Sequence, residues 1–356
     1  MKTFIPAQQY VKTLGRTFFC NDQLFLALSG TGIEFTMTGT KAEITLTGDH
    51  IATLLANTDN YARIAIYVDD VRVVDAMIDE REKTYSIFES DEAKTVTIRV
   101  IKLSESAMST IGIKQITVEA ANDIKPVGAR KHRIEFIGDS ITCGYGVDDE
   151  VIEHSFKTST EDVTKTYAFK TAQALNADYS MVSFSGYGVI SGFSYDGETK
   201  VLDQLVPNYY EKMGHSNGKF DDNYQVDAIL WNFSKFKPEL IVINLGTNDD
   251  SYCGTYRERQ EEFKHQYKEF LKVIRKNNPN ATILCTLGIM GDRLYKSVEE
   301  AVSDYSKQTG DLNLSLMRFT LQSESDGYAV DWHPTEATHT KAADKLIQTI
   351  KQLMNW

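Results

Sequence analysis

Phe136-Ile137-Gly138-Asp139-Ser140-Ile141-Thr142-Cys143-Gly144 joins an apolar run to a Gly-Asp-Ser turn in the interior of the 356-residue chain. Ile134 to Ile137 reads as a buried strand. Gly138 permits a tight turn, and Asp139 or Ser140 caps a following helix whose free N–H groups favour negative charge. A junction of this kind sets a hydroxyl nucleophile at the carboxyl end of a strand. A Gly-Asp-Ser turn is also an ordinary helix cap, so its chemistry depends on what else in the chain is built to meet it.

Two later segments supply complementary chemistry. Ile241-Val242-Ile243-Asn244-Leu245-Gly246-Thr247-Asn248-Asp249 runs a second apolar strand into a polar turn. Asn248 is thereby expected at the carboxyl end of that strand, where open α/β sheets build their sites, with an amide able to donate to a developing oxyanion. Asp331-Trp332-His333-Pro334-Thr335 lies just before the helical pattern of Thr340 to Leu353 and offers a base and a carboxylate.

These three blocks resemble the SGNH, or GDSL-type, hydrolase superfamily, whose serine, glycine, asparagine and histidine come from separate loops over one parallel sheet. The resemblance calls for a glycine block, and Met181-Val182-Ser183-Phe184-Ser185-Gly186-Tyr187-Gly188 provides it, with Gly186 the better match to the oxyanion glycine. It implies Ser140 as nucleophile, His333 as base and Asp331 as the acid, with an oxyanion hole made by the N–H groups of Ser140 and Gly186 and the side chain of Asn248. Two departures are visible. Ile141 stands where the motif has leucine, a conservative packing change. Asp331 precedes His333 by two positions rather than the usual three, which leaves open whether Asp331 or a backbone carbonyl orients the imidazole.

A narrower resemblance spans nearly the whole chain. Leu14-Gly15-Arg16, Ser29-Gly30-Thr31-Gly32-Ile33-Glu34-Phe35, the block around Ser140 and Asp331-Trp332-His333-Pro334 are together similar to carbohydrate esterase family two. That family places a β-sandwich before an SGNH domain and removes acetyl groups from plant polysaccharides, often the primary 6-O-acetyl of a glucosyl or mannosyl unit. The implied protein is a carboxylic ester hydrolase acting on an acetylated oligosaccharide or polysaccharide. A short-chain acyl or lipid esterase is the second enzyme reading, and a carbohydrate-binding protein with vestigial catalytic blocks is the third.

Patterning along the chain fits two domains. Ile33 to Thr47, Ala62 to Val68, Val71 to Met77, Thr95 to Leu103 and Ile111 to Val118 alternate like antiparallel strands with one solvated face. Asp69-Asp70 reads as a hairpin turn. Residues 1–122 are therefore expected to form an all-β sandwich of jelly-roll type, residues 123–129 a linker, and residues 130–356 an α/β SGNH-type three-layer catalytic domain with a parallel sheet. Helical stretches in the second part include Tyr167 to Leu175 and Arg257 to Lys276.

Composition narrows the function classes. With 42% hydrophobic and 25% charged residues, the chain can bury a large core. The formal net charge of −12 disfavours nucleic acid as a partner. No run approaches membrane-spanning length. The first ten residues contain no apolar core of a secretory signal, so the expectation is a cytoplasmic protein, or a secreted one if a leader was removed.

Cys20, Cys143, Cys253 and Cys285 are scattered, without metal-type spacing. His333 and His339 flank Glu336, but their separation is not that of a His-Glu-x-x-His motif, so neither metal nor cofactor is expected. His50, His132, His154, His215 and His265 have no motif context. Candidate substrate contacts are Trp332, tied by sequence to His333, together with Tyr187, Asp249 and Tyr195. Sugar rings stack on aromatic faces, and the segment from Gly192 to Lys237 is rich in them. Within it, Trp231 and Phe233 read more readily as core.

Overall fold

A computed structural model describes residues 1–356, the side chain of residue 57 excepted. The chain divides into two compact units. The first comprises Met1–Ala129 with the segments Lys157–Glu161 and Lys212–Trp231, and the second comprises Arg130–Phe156, Asp162–Glu211 and Asn232–Trp356.

The first unit is built on a ten-stranded antiparallel sheet. Its main strands are β1 (Thr17–Cys20), β2 (Gln23–Leu26), β3 (Gly32–Gly48), β4 (Arg63–Val68), β5 (Val71–Met77), β6 (Glu82–Lys102) and β7 (Ile111–Ala120). They lie in the order β1-β2-β7-β3-β6-β4-β5. Strand β3 carries register shifts between Gly39 and Lys41 against both neighbours, and such bulges increase local twist and let a long strand bend. The sheet curls around a core that includes Ile33, Phe35, Ile44, Ile64, Ile66, Ile98, Val100 and Ile116, in agreement with the jelly-roll expectation. Val68 pairs with Val71 across a turn in which Asp69 and Asp70 adopt φ of 47° and 65°. Two successive positive φ values are what a type I′ hairpin requires, and aspartate tolerates them better than most residues.

One strand is longer than its sequence signal. The alternation is legible only from Thr95, whereas β6 begins at Glu82. The first half is exposed along most of its length, with Ile87 its one buried residue. It therefore lacks the apolar alternation by which strands are recognised.

The second unit holds a five-stranded parallel sheet. Its strands are β8 (His132–Gly138), β9 (Ala177–Ser183), β10 (Leu240–Asn244), β11 (Thr282–Leu287) and β12 (Leu314–Arg318), in the order β9-β8-β10-β11-β12. Nearly every residue of β8 and β10 is buried, as expected for strands covered on both faces. The helices are α1 (Ser140–Cys143), α2 (Tyr167–Ala174), α3 (Thr247–Cys253), α4 (Arg257–Asn277), α5 (Tyr295–Thr309) and α6 (Glu336–Met354). Helix α6 starts before the apolar pattern of Thr340 because Thr335 caps it, its hydroxyl accepting from the Thr338 N–H. Among the described residues no helix is long and apolar enough to cross a membrane.

This topology fixes where chemistry is possible. The chain passes from β8 to β9 on one side and then returns to place β10 on the other side of β8. The order reverses at β8, and the loops leaving β8, β9 and β10 diverge there to open a crevice at the carboxyl ends of the strands. The segments that follow those strands carry Ser140 at the start of α1, Gly186 in the loop after β9 and Asn248 in the first turn of α3.

Candidate active site

Ser140 is the first residue of α1, directly after β8. Asp139 caps that one-turn helix, its side chain accepting from the Ile141 N–H, and Gly144 ends it at φ 89°. The turn is tight because Gly138 has no side chain: a Cβ there would lie 2.1 Å from Thr142 Oγ1. Ser140 Oγ lies 2.8 Å from His333 Nε2.

The other imidazole nitrogen determines what that contact means. His333 Nδ1 is 3.0 Å from the carbonyl oxygen of Val330. A carbonyl only accepts, so Nδ1 carries the proton and Nε2 presents a lone pair. The Ser140 hydroxyl therefore donates to Nε2, the arrangement a general base needs. Burial pushes the imidazole down to about 4, with the Val330 bond and the Asp331 charge opposing the shift. His333 is thus neutral at physiological pH.

Asp331 does not fill the position of a triad acid. Its Oδ2 accepts from the Tyr145 hydroxyl at 2.6 Å, while the imidazole N–H goes to the Val330 carbonyl. The cause lies in the backbone. Asp331 and Trp332 both adopt left-handed conformations, with φ of 52° and 63°, each costing on the order of 1–3 kcal/mol outside glycine. The Val330 and Asp331 N–H groups donate to the carbonyls of Asp149 and Ile152, and the His333 N–H donates to the Val330 carbonyl. This network holds a turn that aims a main-chain oxygen at Nδ1 and turns the carboxylate toward Tyr145. Asp331→Asn, which keeps tolerance for the left-handed backbone, is accordingly expected to lower kcat by less than about tenfold, against the roughly ten-thousandfold loss seen when a triad acid is removed. Steady-state ester hydrolysis checks this.

The glycine and asparagine blocks are tied to each other. Gly186 has φ 82°, and the Asn248 amide donates to the carbonyl of the next residue, Tyr187, at 2.9 Å. Asp249 is fully buried, and its carboxylate accepts from the N–H groups of Val189, Ile190 and Ser191. A Cβ at Gly188 would lie 2.7 Å from the Asp249 carboxyl carbon, so glycine is what lets the loop close over the acid. Burial raises Asp249 to about 6, and burial together with the Asp249 charge raises Asp139 to about 7. Asp249 anchors the glycine loop and does not face substrate, which corrects its assignment as a binding residue.

The other proposed substrate contacts divide. Tyr187 is 6% exposed and packs on Phe184 and Tyr209, so its ring belongs to a buried aromatic cluster and not to a binding surface. Trp332 is 56% exposed and lies against Tyr328, and Tyr195 is 96% exposed with Phe193 packed on its edge. Trp231 is buried in the first unit beneath the Arg16 guanidinium. His339 is buried in α6, where Nδ1 accepts from the Tyr167 N–H and desolvation pushes the ring to about 3. It is a neutral packing histidine.

Of the two groups the spacing left open for Nδ1, the structure has the backbone carbonyl, that of Val330, and Tyr145 is the participant that residue types did not reveal. The only sequence signal for Tyr145 is an aromatic between the glycines that follow α1, in Gly144-Tyr145-Gly146.

Comparison with known proteins matches residues 134–346 to the GDSL-like Lipase/Acylhydrolase family and residues 13–127 to the carbohydrate esterase 2 N-terminal domain. The chain is 37% identical over 231 residues to the cellulase/esterase CelE of Acetivibrio thermocellus, covering 64% of this chain and 26% of that protein's length. It is 24% identical over 357 residues to an acetylxylan esterase / glucomannan deacetylase of Cellvibrio japonicus, covering 99% of this chain and 92% of the relative. Among solved structures, a family two carbohydrate esterase from Clostridium thermocellum in complex with cellohexaose superposes with a TM-score of 0.84 at 27% identity, covering 97% of this chain and 99% of that one.

Proposed function

This chain belongs to the GDSL-like lipase/acylhydrolase family, a family of carboxylic ester hydrolases, and from that premise we propose that it is a serine esterase removing O-acetyl groups from acetylated hemicellulose oligosaccharides. The observation that carries the proposal is the Ser140 Oγ to His333 Nε2 contact, with the histidine tautomer set by the Val330 carbonyl. The proposed ester is the primary 6-O-acetyl of a glucosyl or mannosyl unit. Support comes from a relative whose name includes glucomannan deacetylase and from exposed Trp332 on the turn that bears His333.

In this reading His333 Nε2 takes the Ser140 proton as Oγ attacks the acetyl carbonyl carbon. Charge on the carbonyl oxygen is met by the N–H groups of Ser140 and Gly186 and by the Asn248 amide. The tetrahedral intermediate collapses, the imidazolium returns its proton to the departing sugar hydroxyl, and acetyl remains on Ser140. Water then enters, gives a proton to His333 and repeats the sequence with Ser140 as the leaving group, releasing acetate. Trp332, on the turn that bears His333, and exposed Tyr195 offer aromatic faces for sugar rings.

The test is acetate release from acetylated glucomannan and acetylated xylan oligosaccharides, followed by NMR, with Ser140→Ala as control. Serine-dependent loss of glucosyl or mannosyl 6-O-acetyl signals is expected. Release from xylan alone would move the assignment to another hemicellulose, and hydrolysis of long-chain 4-nitrophenyl esters in preference to acetate would replace it with a lipid-type esterase.

A further inference from the structure

Tyr145 sits five residues beyond Ser140, in the turn that follows α1. Its ring lies over the His333 imidazole, with centroids 4.1 Å apart and planes 26° from parallel. Phe156 stacks on the same ring at 4.1 Å and 16°. Two near-parallel rings at that separation cannot share one face, so Phe156, Tyr145 and His333 form a column with Tyr145 in the middle. The phenol closes the column by donating to Asp331, on the same turn as the histidine.

Serine attack converts the imidazole to an imidazolium, and the partner of Nδ1 is here a neutral carbonyl that carries no compensating charge. The site therefore lacks the usual direct source of stabilisation for that cation. The π face of an aromatic ring attracts a cation within about 6 Å, more strongly when desolvated. The Tyr145 centroid falls well inside that range, and a carboxylate accepting its hydroxyl increases the electron density of the ring.

We propose that Tyr145 is a positioning residue for His333: its ring, polarised by Asp331, fixes the imidazole plane and stabilises the imidazolium, the electrostatic work that an acid performs in a Ser-His-Asp triad. The proposal rests on the reading of Ser140 and His333 as the catalytic pair. It gives Asp331 an indirect part, exerted through the tyrosine and through its own charge. Among the described residues, the titratable groups bearing on His333 include Tyr145, stacked on its ring, Asp331, on its own turn, and His339, on α6.

Tyr145→Leu and Tyr145→Phe, with Ser140→Ala alongside, test the proposal through 4-nitrophenyl acetate kinetics and an NMR titration of His333 in protein labelled with 13C-histidine. Tyr145→Leu is expected to lower kcat by about ten- to thirtyfold with KM within about twofold. Loss of a group that favours the cation moves the His333 titration to lower pH. Tyr145→Phe keeps the stack and is expected to lose about threefold, with a smaller shift in the same direction. A purely structural role predicts the opposite sign, because a loosened site admits water and lets the imidazole rise toward its ordinary value.

An upward shift in Tyr145→Leu, or a kcat within about twofold of the parent, would overturn the proposal. Should Tyr145→Leu fail to fold, Tyr145→Phe, which preserves the ring, decides by the direction of its shift. Activity persisting in Ser140→Ala would instead remove the esterase reading, and the NMR titration, which needs no turnover, would still judge Tyr145.

Discussion

Alanine at Ser140 or at His333 is expected to reduce kcat for acetyl ester hydrolysis by on the order of a millionfold, with the double variant no worse than either single one. The non-additivity follows from the 2.8 Å contact between Ser140 Oγ and His333 Nε2. Without the base the hydroxyl is a poor nucleophile, and without the hydroxyl the base has nothing to activate. Acetate release under single-turnover and steady-state conditions measures the loss. If the two losses multiply in the double variant, the residues act separately and the pair mechanism fails.

The same contact sets a pH dependence. Only neutral His333 accepts the serine proton, and burial holds its imidazole at about 4. Protonation of His333 therefore removes activity only as pH falls through that value, and any loss of kcat/KM between neutrality and about pH 5 is expected to come from buried Asp249 and Asp139, which titrate at about 6 and about 7. An acid limb near the ordinary histidine value that persists in Asp249→Asn would show that water reaches the ring in the working enzyme.

How much of this was legible in the sequence depended on whether the signal was local. The turns after β8 and β10 announce themselves through apolar strands that end in small and polar residues, and this pattern alone puts Ser140 and Asn248 at strand ends. The contact between Ser140 and His333 spans 193 positions, and no local pattern encodes it; residue types and family resemblance are its only sequence signals. The spacing from Asp331 to His333 narrows the group that holds the imidazole to the carboxylate or a backbone carbonyl, and residue identity does not choose between them. Asp331 and Trp332 are ordinary residues in left-handed conformations, and nothing in their identity says that a main-chain oxygen will face Nδ1. Asp249 misled for a related reason. A carboxylate after Asn248 suggests a polar contact with ligand, yet three backbone N–H groups of the glycine loop consume it. Side-chain type indicates what a residue is able to bind, while the partner is decided by loops whose closure is set elsewhere.

Asn248→Ala is expected to lower kcat by about a hundred- to a thousandfold while leaving KM for a small acetyl ester nearly unchanged. A side-chain amide has two N–H groups, and the Tyr187 carbonyl takes one of them at 2.9 Å. That bond fixes the amide plane, so the second N–H is held in advance and needs no reorganisation when charge develops. Preorganisation of this kind acts in the transition state and adds little to ground-state binding. The alternative is that Asn248 only ties the glycine loop to α3. A tether predicts weaker folding and scattered effects on KM, with kcat falling less than about threefold in the molecules that fold. Asn248→Asp separates the two readings further. It retains the size of the side chain but replaces the donor with a carboxylate next to buried Asp249, which would oppose an oxyanion. If Asn248 is an oxyanion donor, the aspartate variant is slower than the alanine variant above neutral pH and recovers part of the difference as the new acid is protonated; a tether has no reason to show that recovery.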